Sequence, residues 1–178
     1  MVEAPAVLQT ERLILRKPVL EDAEVIFETY AHDEEVTRYL TWVANKNIEE
    51  TRNYVERALA AWDRGSEFSW AITIKETGQL IGMIGTRIDS YLANLGYVLA
   101  RAYWNKGYMS EAVKAVAHWA LSQEEIYRVW AVCDVENVAS ARVLEKAGLQ
   151  KEGVLHRWVI LPNMSSKPRD CSCYSKVK

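Results

Sequence analysis

Apolar and polar side chains alternate along several short stretches of the chain, a pattern that predicts β-strands. In residues 68–74 every second position is apolar. The polar turn at 76–79 leads into a second apolar run at 80–88, so the two runs predict a hairpin. Further strands are predicted over residues 13–15, 94–99, 129–135, 149–157 and 169–177.

Apolar positions that recur every three or four residues predict helices in the remaining segments. The two longest lie over 48–64 and 107–121, and Gly65 follows the first, as glycine often follows a last helical turn. Shorter helices are predicted over 21–31, 36–40 and 137–147. The order of elements predicts a mixed α/β fold with one sheet and helices on its faces, in a single domain of residues 1–178.

Composition and charge narrow the class of protein. The chain has 178 residues, of which 49% are hydrophobic and 26% charged, as in an ordinary folded domain. With 22 basic and 24 acidic residues the net charge is −2, which argues against nucleic-acid binding because such proteins carry a basic excess. The three cysteines predict neither a disulfide framework nor a metal site. No signal peptide or apolar run of ~20 residues is recognisable, so we expect a cytoplasmic protein without a membrane partner.

The segment from the strand at 94–99 to the helix at 107–121 carries the most chemistry. Gly107 opens this helix, and the first N–H groups of a helix lack internal partners, so they suit a phosphate. Arg101 and Lys106 precede the helix and could add positive charge. The same residues are also compatible with an ordinary strand-to-helix turn that contains a glycine.

A glycine within the same strand strengthens the argument for a ligand. Gly96 predicts a β-bulge, which would separate this strand from the one at 129–135 and expose backbone N–H and C=O groups to an extended ligand. The helix that follows the second strand begins at Asn137, so the same ligand would meet Asn137 or Ser140.

Motifs in this region resemble the GNAT N-acetyltransferases. Leu95–Leu99 followed by Tyr103–Ala112 looks like the acetyl-coenzyme A loop of that superfamily, and Cys133–Ser140 with Leu144–Leu149 resembles its next motif. The opening residues Thr10–Arg16 are similar to those of the ribosomal-protein N-terminal (alanine) acetyltransferases, a subgroup of the superfamily. The resemblance extends over essentially the whole chain that follows.

The resemblance implies a fold and a cofactor. Members of the superfamily have a mostly antiparallel, twisted sheet with helices on both faces, and bind acetyl-coenzyme A in a V-shaped cleft between their fourth and fifth strands. The pyrophosphate lies on backbone amides that correspond here to Trp104 through Met109, although Met109 stands where the motif prefers glycine or alanine. No metal is predicted. The predicted cofactor-binding residues are Tyr97, Val98, Leu99, Trp104, Asn105, Lys106, Gly107, Tyr108, Met109, Ser110, Asn137 and Ser140.

The resemblance also implies roles for single residues. The acceptor amine attacks the thioester directly, a backbone N–H near Tyr97 polarises the carbonyl, and Asn137 contacts the pantetheine arm. Many members have a tyrosine as general acid where this chain has Leu144, so Ser140 is the predicted proton donor to the leaving thiolate. Asn94 stands where the subgroup often has a glutamate proposed as base. The predicted catalytic residues are Ser140, Asn94 and Tyr97.

The absence of a carboxylate at position 94 affects which amine is expected as the acceptor. An asparagine cannot take a proton at neutral pH, and an α-amino group with a pKa of about 8 is neutral far more often than a lysine with a pKa of about 10.4. We therefore predict an N-acetyltransferase for a primary amine, above all a protein or peptide α-amino group. The resemblance suggests a ribosomal-protein N-terminus.

Tyr39, Trp42 and Trp70 are candidates for the acceptor pocket or for the core. The acidic tract at 21–35 is either a rim that attracts the amine or a solvated helix face.

Three alternatives remain open from the sequence. The acceptor could be a small-molecule amine. The chain could also bind coenzyme A as a sensor or interaction module without turnover, because Leu144 and Asn94 replace residues that act in catalysis elsewhere. Nucleotide binding is the weakest alternative, because the loop has one glycine and lacks both G-x-G-x-x-G and a following Lys-Ser/Thr pair. The oligomeric state is predicted only as monomer or homodimer.

Overall fold

A computed structural model describes residues 2–178. These residues form one eight-stranded sheet with helices packed on it. Its strands are β1 (Val7–Gln9), β2 (Leu13–Arg16), β3 (Glu67–Ile74), β4 (Leu80–Asp89), β5 (Leu92–Leu99), β6 (Arg128–Asp134), β7 (Gln150–Val159) and β8 (Arg169–Val177). Their order across the sheet is β1-β2-β3-β4-β5-β6-β8-β7. Neighbouring strands are antiparallel except for β5 and β6, which are parallel. The predicted mixed, mostly antiparallel sheet is therefore confirmed.

The helices lie in the order that the sequence predicts. They are α1 (Asp22–Ile26), which continues as a π-helical turn (Phe27–Ala31), α2 (Glu34–Thr37), α3 (Ile48–Asp63), α4 (Tyr108–Ser122) and α5 (Val138–Lys146), with a 3-10 turn at Arg101–Tyr103. Asp33, Asn47 and Asn137 cap α2, α3 and α5 by accepting backbone N–H groups of the first turn. The largest differences from the prediction concern α2, which spans Glu34–Thr37 and not residues 36–40, and the edge strand β1, which was not predicted because three residues are too few to show a period.

The two faces of the sheet have separate cores. On one face, α4 and α5 cover a cluster that includes Trp70 and Ile84. On the other face, α1 and α3 cover a cluster that includes Ala71 and Met83. Because side chains alternate along a strand, adjacent residues such as Trp70 and Ala71 belong to different cores. These two sides of the sheet are called the α4 face and the α3 face below.

The pairing of β4 with β5 corrects the bulge predicted at Gly96. The two strands stay in register without a shift from Gly82 opposite Leu99 to Asp89 opposite Leu92. Gly96 lies directly opposite Gly85 within this continuous ladder, so the bulge is absent. A glycine permits a bulge but does not require one, and here the unbroken ladder with β4 keeps β5 regular.

Candidate active site

The parallel pairing of β5 with β6 ends early and opens the sheet. Three residue pairs join the two strands, the last being Asn94 with Trp130. Beyond this point β5 continues along β4 to Leu99, whereas β6 continues along β8 to Asp134. The resemblance predicts the cofactor cleft at this place, between the fourth and fifth predicted strands, which are β5 and β6 once β1 is counted.

Backbone groups of β5 line this opening. The Ala100 N–H donates to the Ile81 carbonyl of β4, with an N···O distance of 2.8 Å. Successive backbone groups of a strand point to opposite sides, so those of Val98 also face β4, while those of Tyr97 and Leu99 face the opening. Tyr97 and Leu99 therefore offer backbone N–H groups to a ligand, whereas Val98 contributes its half-buried side chain to the α3 face.

The first turn of α4 is open to an anion. Asn105 (φ +61°) and Gly107 (φ +80°) lead the chain into this helix in left-handed conformations, which for Gly107 carry no steric cost. Gly107, the residue before the helix, has no side chain with which to cap it. The N–H groups of Tyr108, Met109 and Ser110 thus have no partner within the helix, and together with the helix dipole they can hold a phosphate. The Met109 side chain is buried in the core of the α4 face, so it does not crowd an anion at this turn.

Residues of the Thr10–Arg16 motif hold the turn before α4 in place. Arg12 Nη1 donates to the Lys106 carbonyl at 3.0 Å, and Arg12 Nε donates to Glu111 Oε2 at 2.8 Å. The guanidinium also lies over the Tyr108 ring, 4.6 Å from its centroid. Thr10 Oγ1 donates to Glu111 Oε1 at 2.5 Å. Burial raises the pKa of Glu111, but the hydrogen bonds from Thr10 and Arg12 outweigh it and hold the pKa below its ordinary value.

The other side chains of this turn bind neighbouring parts of the protein. Arg101 Nη2 lies 3.1 Å from Asp33 Oδ2, so the expectation that Arg101 faces the phosphate is not met. Lys106 Nζ lies 5.3 Å from the centroid of a tyrosine ring in the preceding turn. Trp104 Nε1 donates to the Leu99 carbonyl at 2.7 Å and so ties the turn to the end of β5.

Across the opening, α5 presents a serine to a tyrosine of β5. Asn137 Oδ1 accepts the Ser140 N–H at an N···O distance of 3.1 Å, and Ser140 Oγ lies 2.7 Å from Tyr97 Oη, so the two hydroxyls share a hydrogen bond. Burial raises the pKa of Tyr97 well above its ordinary value, so this hydroxyl stays protonated at neutral pH. Leu144, one turn further along α5, is fully buried in the core. Sequence reasoning missed the Tyr97 hydroxyl because only the folded sheet brings it to α5.

A row of residues on the α3 face borders the same opening. Arg87, Asn94 and Trp130 occupy paired positions on β4, β5 and β6. Trp158 of β7 packs edge-on against Trp130, with ring centroids 6.5 Å apart, and half of its surface is exposed. Sequence reasoning missed both tryptophans. Alternation within 128–134 could have assigned Trp130 to this face, but nothing in the sequence brings Trp158 beside it.

The three aromatic residues predicted for the acceptor pocket lie in different places. Tyr39 Oη donates to the Glu136 carbonyl at 3.4 Å and therefore reaches the end of β6. Trp42 is partly buried, and its carbonyl accepts from Asn163 Nδ2 at 2.8 Å. Trp70 is fully buried on the α4 face between two other tryptophan rings, whose centroids lie 5.1 and 5.3 Å away. The prediction of Trp70 as a pocket residue is wrong, because the helices close the α4 face over it.

Carboxylates near the opening are bound to arginines. Asp134 Oδ2 accepts from Arg169 Nε at 2.6 Å, and Glu136 Oε1 lies 3.1 Å from Arg169 Nη2. Burial raises the pKa of Asp134, but the hydrogen bond from Arg169 outweighs it and lowers the pKa, so this carboxylate is a poor base. Part of the acidic tract is also neutralised within the fold, by the ion pairs Asp22–Arg16, Glu24–Arg52 and Asp33–Arg101.

Taken together, these groups fit an acyl-coenzyme A molecule. The unpaired backbone of β5 can pair with the extended pantetheine arm, and the open first turn of α4 can hold the pyrophosphate. A sheet that opens beside a free helix N-terminus therefore offers a place for an acyl-coenzyme A, in agreement with the expectation from the resemblance. Within residues 2–178, no three His, Cys, Asp or Glu side chains group in a way that could hold a metal ion. No helix in the described part of the chain has the length and hydropathy to cross a membrane.

Comparison with known proteins shows the family. A model of the acetyltransferase (GNAT) domain matches residues 12–150. The protein named Uncharacterized N-acetyltransferase YoaA, from Bacillus subtilis (strain 168), is 34% identical over 175 residues, which cover 97% of this chain and 97% of that protein. The chain belongs to the GNAT family of acetyltransferases. It is an N-acetyltransferase that uses acetyl-coenzyme A as co-substrate.

Two solved structures share the fold over nearly their whole length. The microcin C7 self-immunity acetyltransferase MccE, in complex with acetyl-coenzyme A and AMP, has a TM-score of 0.88 at 23% identity and covers 98% of both chains. RimL, a ribosomal L7/L12 alpha-N-protein acetyltransferase in complex with coenzyme A, has a TM-score of 0.85 at 21% identity. That match covers 96% of this chain and 97% of RimL.

Proposed function

We propose that this acetyltransferase modifies the α-amino group of a protein or peptide, by direct attack on acetyl-coenzyme A in a ternary complex. The proposal depends on the side chains beside the opening. Asn94 stands opposite Trp130 where a carboxylate base would serve, and Asp134 and Glu136 are both held by Arg169. Without a strong base, the reaction depends on an amine that is partly neutral near pH 7. An α-amino group, with a pKa of about 8, meets this condition far better than lysine, with a pKa of about 10.4.

The residues of the opening have separate roles in the proposed reaction. The N–H of Tyr97 or Leu99 polarises the thioester carbonyl while the amine nitrogen forms the new C–N bond and the C–S bond breaks. The leaving thiolate takes the hydroxyl proton of Ser140, and the nitrogen releases its surplus proton to solvent, from which Ser140 is reprotonated. The Tyr97 hydroxyl keeps its own proton and orients the Ser140 Oγ atom through their shared hydrogen bond.

The acceptor that we favour is a ribosomal-protein N-terminus in the cytoplasm. The Thr10–Arg16 motif is similar to that of the ribosomal-protein acetyltransferases, and RimL, named as an alpha-N-protein acetyltransferase of ribosomal L7/L12, shares the fold. Both observations support placing this chain in the same subgroup.

The exposed Trp158 favours a second candidate, a small-molecule amine that carries a planar ring. Trp158 exposes half of its surface beside Trp130 on the α3 face, where an aromatic ring could stack. The MccE complex contains AMP together with acetyl-coenzyme A, which supports this candidate through a relative in fold.

Peptide acetylation tests the proposal. Three acceptors are incubated with acetyl-coenzyme A and analysed by mass spectrometry: a peptide with only its α-amino group free, the same peptide with only a lysine free, and a small aromatic amine. We expect acetylation of the α-amino group alone. Lysine acetylation with a similar kcat/KM would contradict the proposal. If coenzyme A binds and none of the three acceptors reacts, the proposed α-amino acceptor is wrong for these peptides.

A single substitution sharpens this test. Asn94→Glu introduces a carboxylate base beside the opening, so we expect it to raise lysine acetylation more than α-amine acetylation. Asn53→Glu adds the same charge at an exposed position of α3 and serves as the matched control. An equal effect of both variants would show that net charge, and not a base at position 94, changes the rate.

A further inference from the structure

A positively charged groove lies on the α3 face, between α3 and the ends of β3 and β4. It has a volume of about 330 Å³, and its charged lining residues are Arg57, Arg64, Glu67 and Arg87. Glu67 Oε2 accepts from Arg87 Nη2 at 3.1 Å, so these two charges compensate each other. Two further guanidinium groups remain.

Arg57 and Arg64 leave the groove with uncompensated charge. Within residues 2–178 neither guanidinium forms an ion pair or a side-chain hydrogen bond. Arg52, on the same helix, shows the contrast, because it binds both Glu49 and Glu24. A guanidinium presents a planar fork of donors that matches a carboxylate, so two unpaired arginines at one groove suit an anionic ligand.

Two glycines lie on the sheet between this groove and the opening. Gly85 and Gly96 are paired on β4 and β5, two residues from Arg87 and Asn94 along their strands, and therefore share their face. Among residues 2–178, no atom lies within 4 Å of the position that a Cβ on Gly96 would take, whereas Ser69 Oγ lies 3.0 Å from the corresponding position on Gly85. An extended chain can thus lie flat on β5 and reach the groove across β4, past the Ser69 hydroxyl of β3.

The distances between these strands set the register of such a chain. Neighbouring strands are about 4.8 Å apart, so Arg87 on β4 lies about 10 Å from β6. An extended peptide rises about 3.3 Å per residue, so this span corresponds to about three residues. A peptide with its α-amino group in the opening would bring the side chains of its second to fourth residues to the groove.

We propose that the groove formed with Arg57 and Arg64 binds an acidic side chain at the second, third or fourth position of the peptide acceptor. The proposal rests on α-amino acetylation as the proposed function and adds an acceptor preference to it. The arginines bind the acidic peptide before the reaction and touch no reacting atom, so they act on acceptor affinity and leave the chemical step unchanged.

Paired peptides test this preference. Six-residue peptides with a free N-terminal alanine carry either glutamate or glutamine at position two, three or four. For the wild-type protein we expect a KM about tenfold lower with glutamate at one of these positions, and an unchanged kcat. The double variant Arg57→Ala/Arg64→Ala should lose this difference and keep its kcat and its KM for the glutamine peptides. Arg52→Ala removes an arginine from the same helix away from the groove and should retain the preference.

Binding measured without turnover separates this proposal from the proposed function. Isothermal titration of the glutamate and glutamine peptides into the protein saturated with coenzyme A reports affinity alone. Equal affinities, or equal losses for both peptides in the double variant, would overturn the groove assignment while α-amino acetylation could still stand. A glutamate preference in binding without acetylation of any peptide would retain the groove and refute the proposed function.

Discussion

Arg12 and Glu111, which are 99 residues apart in the sequence, form an ion pair with Nη2 and Oε2 2.7 Å apart. Glu111 lies in the first turn of α4, where the helix dipole also favours a negative charge. Because Arg12 donates to the Lys106 carbonyl as well, one guanidinium connects the two sides of the turn that leads through Gly107 into α4. The entry to β2 therefore sets the geometry of the proposed phosphate site.

Loss of this guanidinium should weaken coenzyme binding more than catalysis. Arg12→Ala releases the turn before α4, so its N–H groups must be ordered when the ligand binds. We expect the Kd for coenzyme A to rise about tenfold, which corresponds to about 1.4 kcal/mol, with kcat at saturation changed less than twofold. Isothermal titration and steady-state kinetics measure the two effects. Arg52→Ala is the control, and an unchanged Kd in Arg12→Ala would show that the turn holds its shape unaided.

The same ion pair predicts a pH dependence of stability. Because the pKa of Glu111 is lowered in the folded state, its ionised form stabilises the protein above the ordinary pKa of about 4.5. This contribution is lost as the pH falls through the lower folded-state pKa. We expect Glu111→Gln to lower the free energy of unfolding by about 1–2 kcal/mol at pH 7, and by a smaller amount at about pH 3, where the unfolded-state carboxyl is protonated. Urea unfolding at both pH values checks this, and a constant difference would exclude the ionised carboxylate as the cause.

The shared hydrogen bond of Ser140 and Tyr97 predicts unequal effects on turnover. Ser140→Ala removes the proposed proton donor and should lower kcat about 100-fold, whereas Tyr97→Phe removes only its partner and should lower kcat about tenfold. Because the two hydroxyls act as one unit, the double variant should lose little more than Ser140→Ala alone.

The controls for this prediction concern binding and position. The Kd for coenzyme A should change less than twofold in both variants, since neither hydroxyl holds the phosphates. Ser122→Ala removes a serine hydroxyl that bonds only near the end of α4, to the Trp119 carbonyl and to Gln123, and should leave kcat unchanged. Full turnover in Ser140→Ala would place the proton donor elsewhere.

Local sequence patterns account for most of the fold. The alternation in 68–74 and the three- and four-residue spacing in 48–64 and 107–121 predict β3, α3 and α4 to within one residue at either end. These patterns reflect which side of a single helix or strand is buried, and the residues of that segment alone determine this. The position of the opening was also predictable, but only from the resemblance of the motifs. The bulge at Gly96 that was predicted to separate the strands is absent.

Local sequence patterns could not predict the contacts between elements that are far apart in the sequence. Alternation shows that Trp70 and Ala71 face opposite sides of β3, yet it cannot say whether a side is covered by a helix or left open as a pocket. Trp70 was therefore a candidate for both the pocket and the core, and the fold buries it completely. From the sequence, Arg101 could equally have bound a phosphate or a carboxylate. The position of α2 in the fold brings Asp33 beside it, and the two form an ion pair. The approach of Ser140 to Tyr97 likewise depends on how β5 and α5 are placed across the opening.

A single methyl group can test how closely β4 and β5 must approach beside the opening. A Cβ on Gly82 would lie 2.3 Å from the Val98 carbonyl oxygen and 3.1 Å from the Leu99 Cα atom. Both are backbone atoms of β5, so the strand itself must move. We expect Gly82→Ala to lower the free energy of unfolding by about 2 kcal/mol and Tm by about 4–8 °C. Differential scanning calorimetry measures the shift.

The activity of the same variant tests whether the pairing of β4 with β5 also sets the geometry of the site. β5 carries the backbone N–H groups of Tyr97 and Leu99, so its displacement from β4 should lower kcat at 25 °C even where the protein is fully folded. Gly153→Ala in β7 is the matched control, because no atom lies within 4 Å of its added Cβ and its Tm and kcat should stay unchanged. If Gly82→Ala lowers Tm but keeps kcat, β5 shifts without moving the reacting groups, and the N–H donor must lie outside the part of β5 that pairs with Gly82.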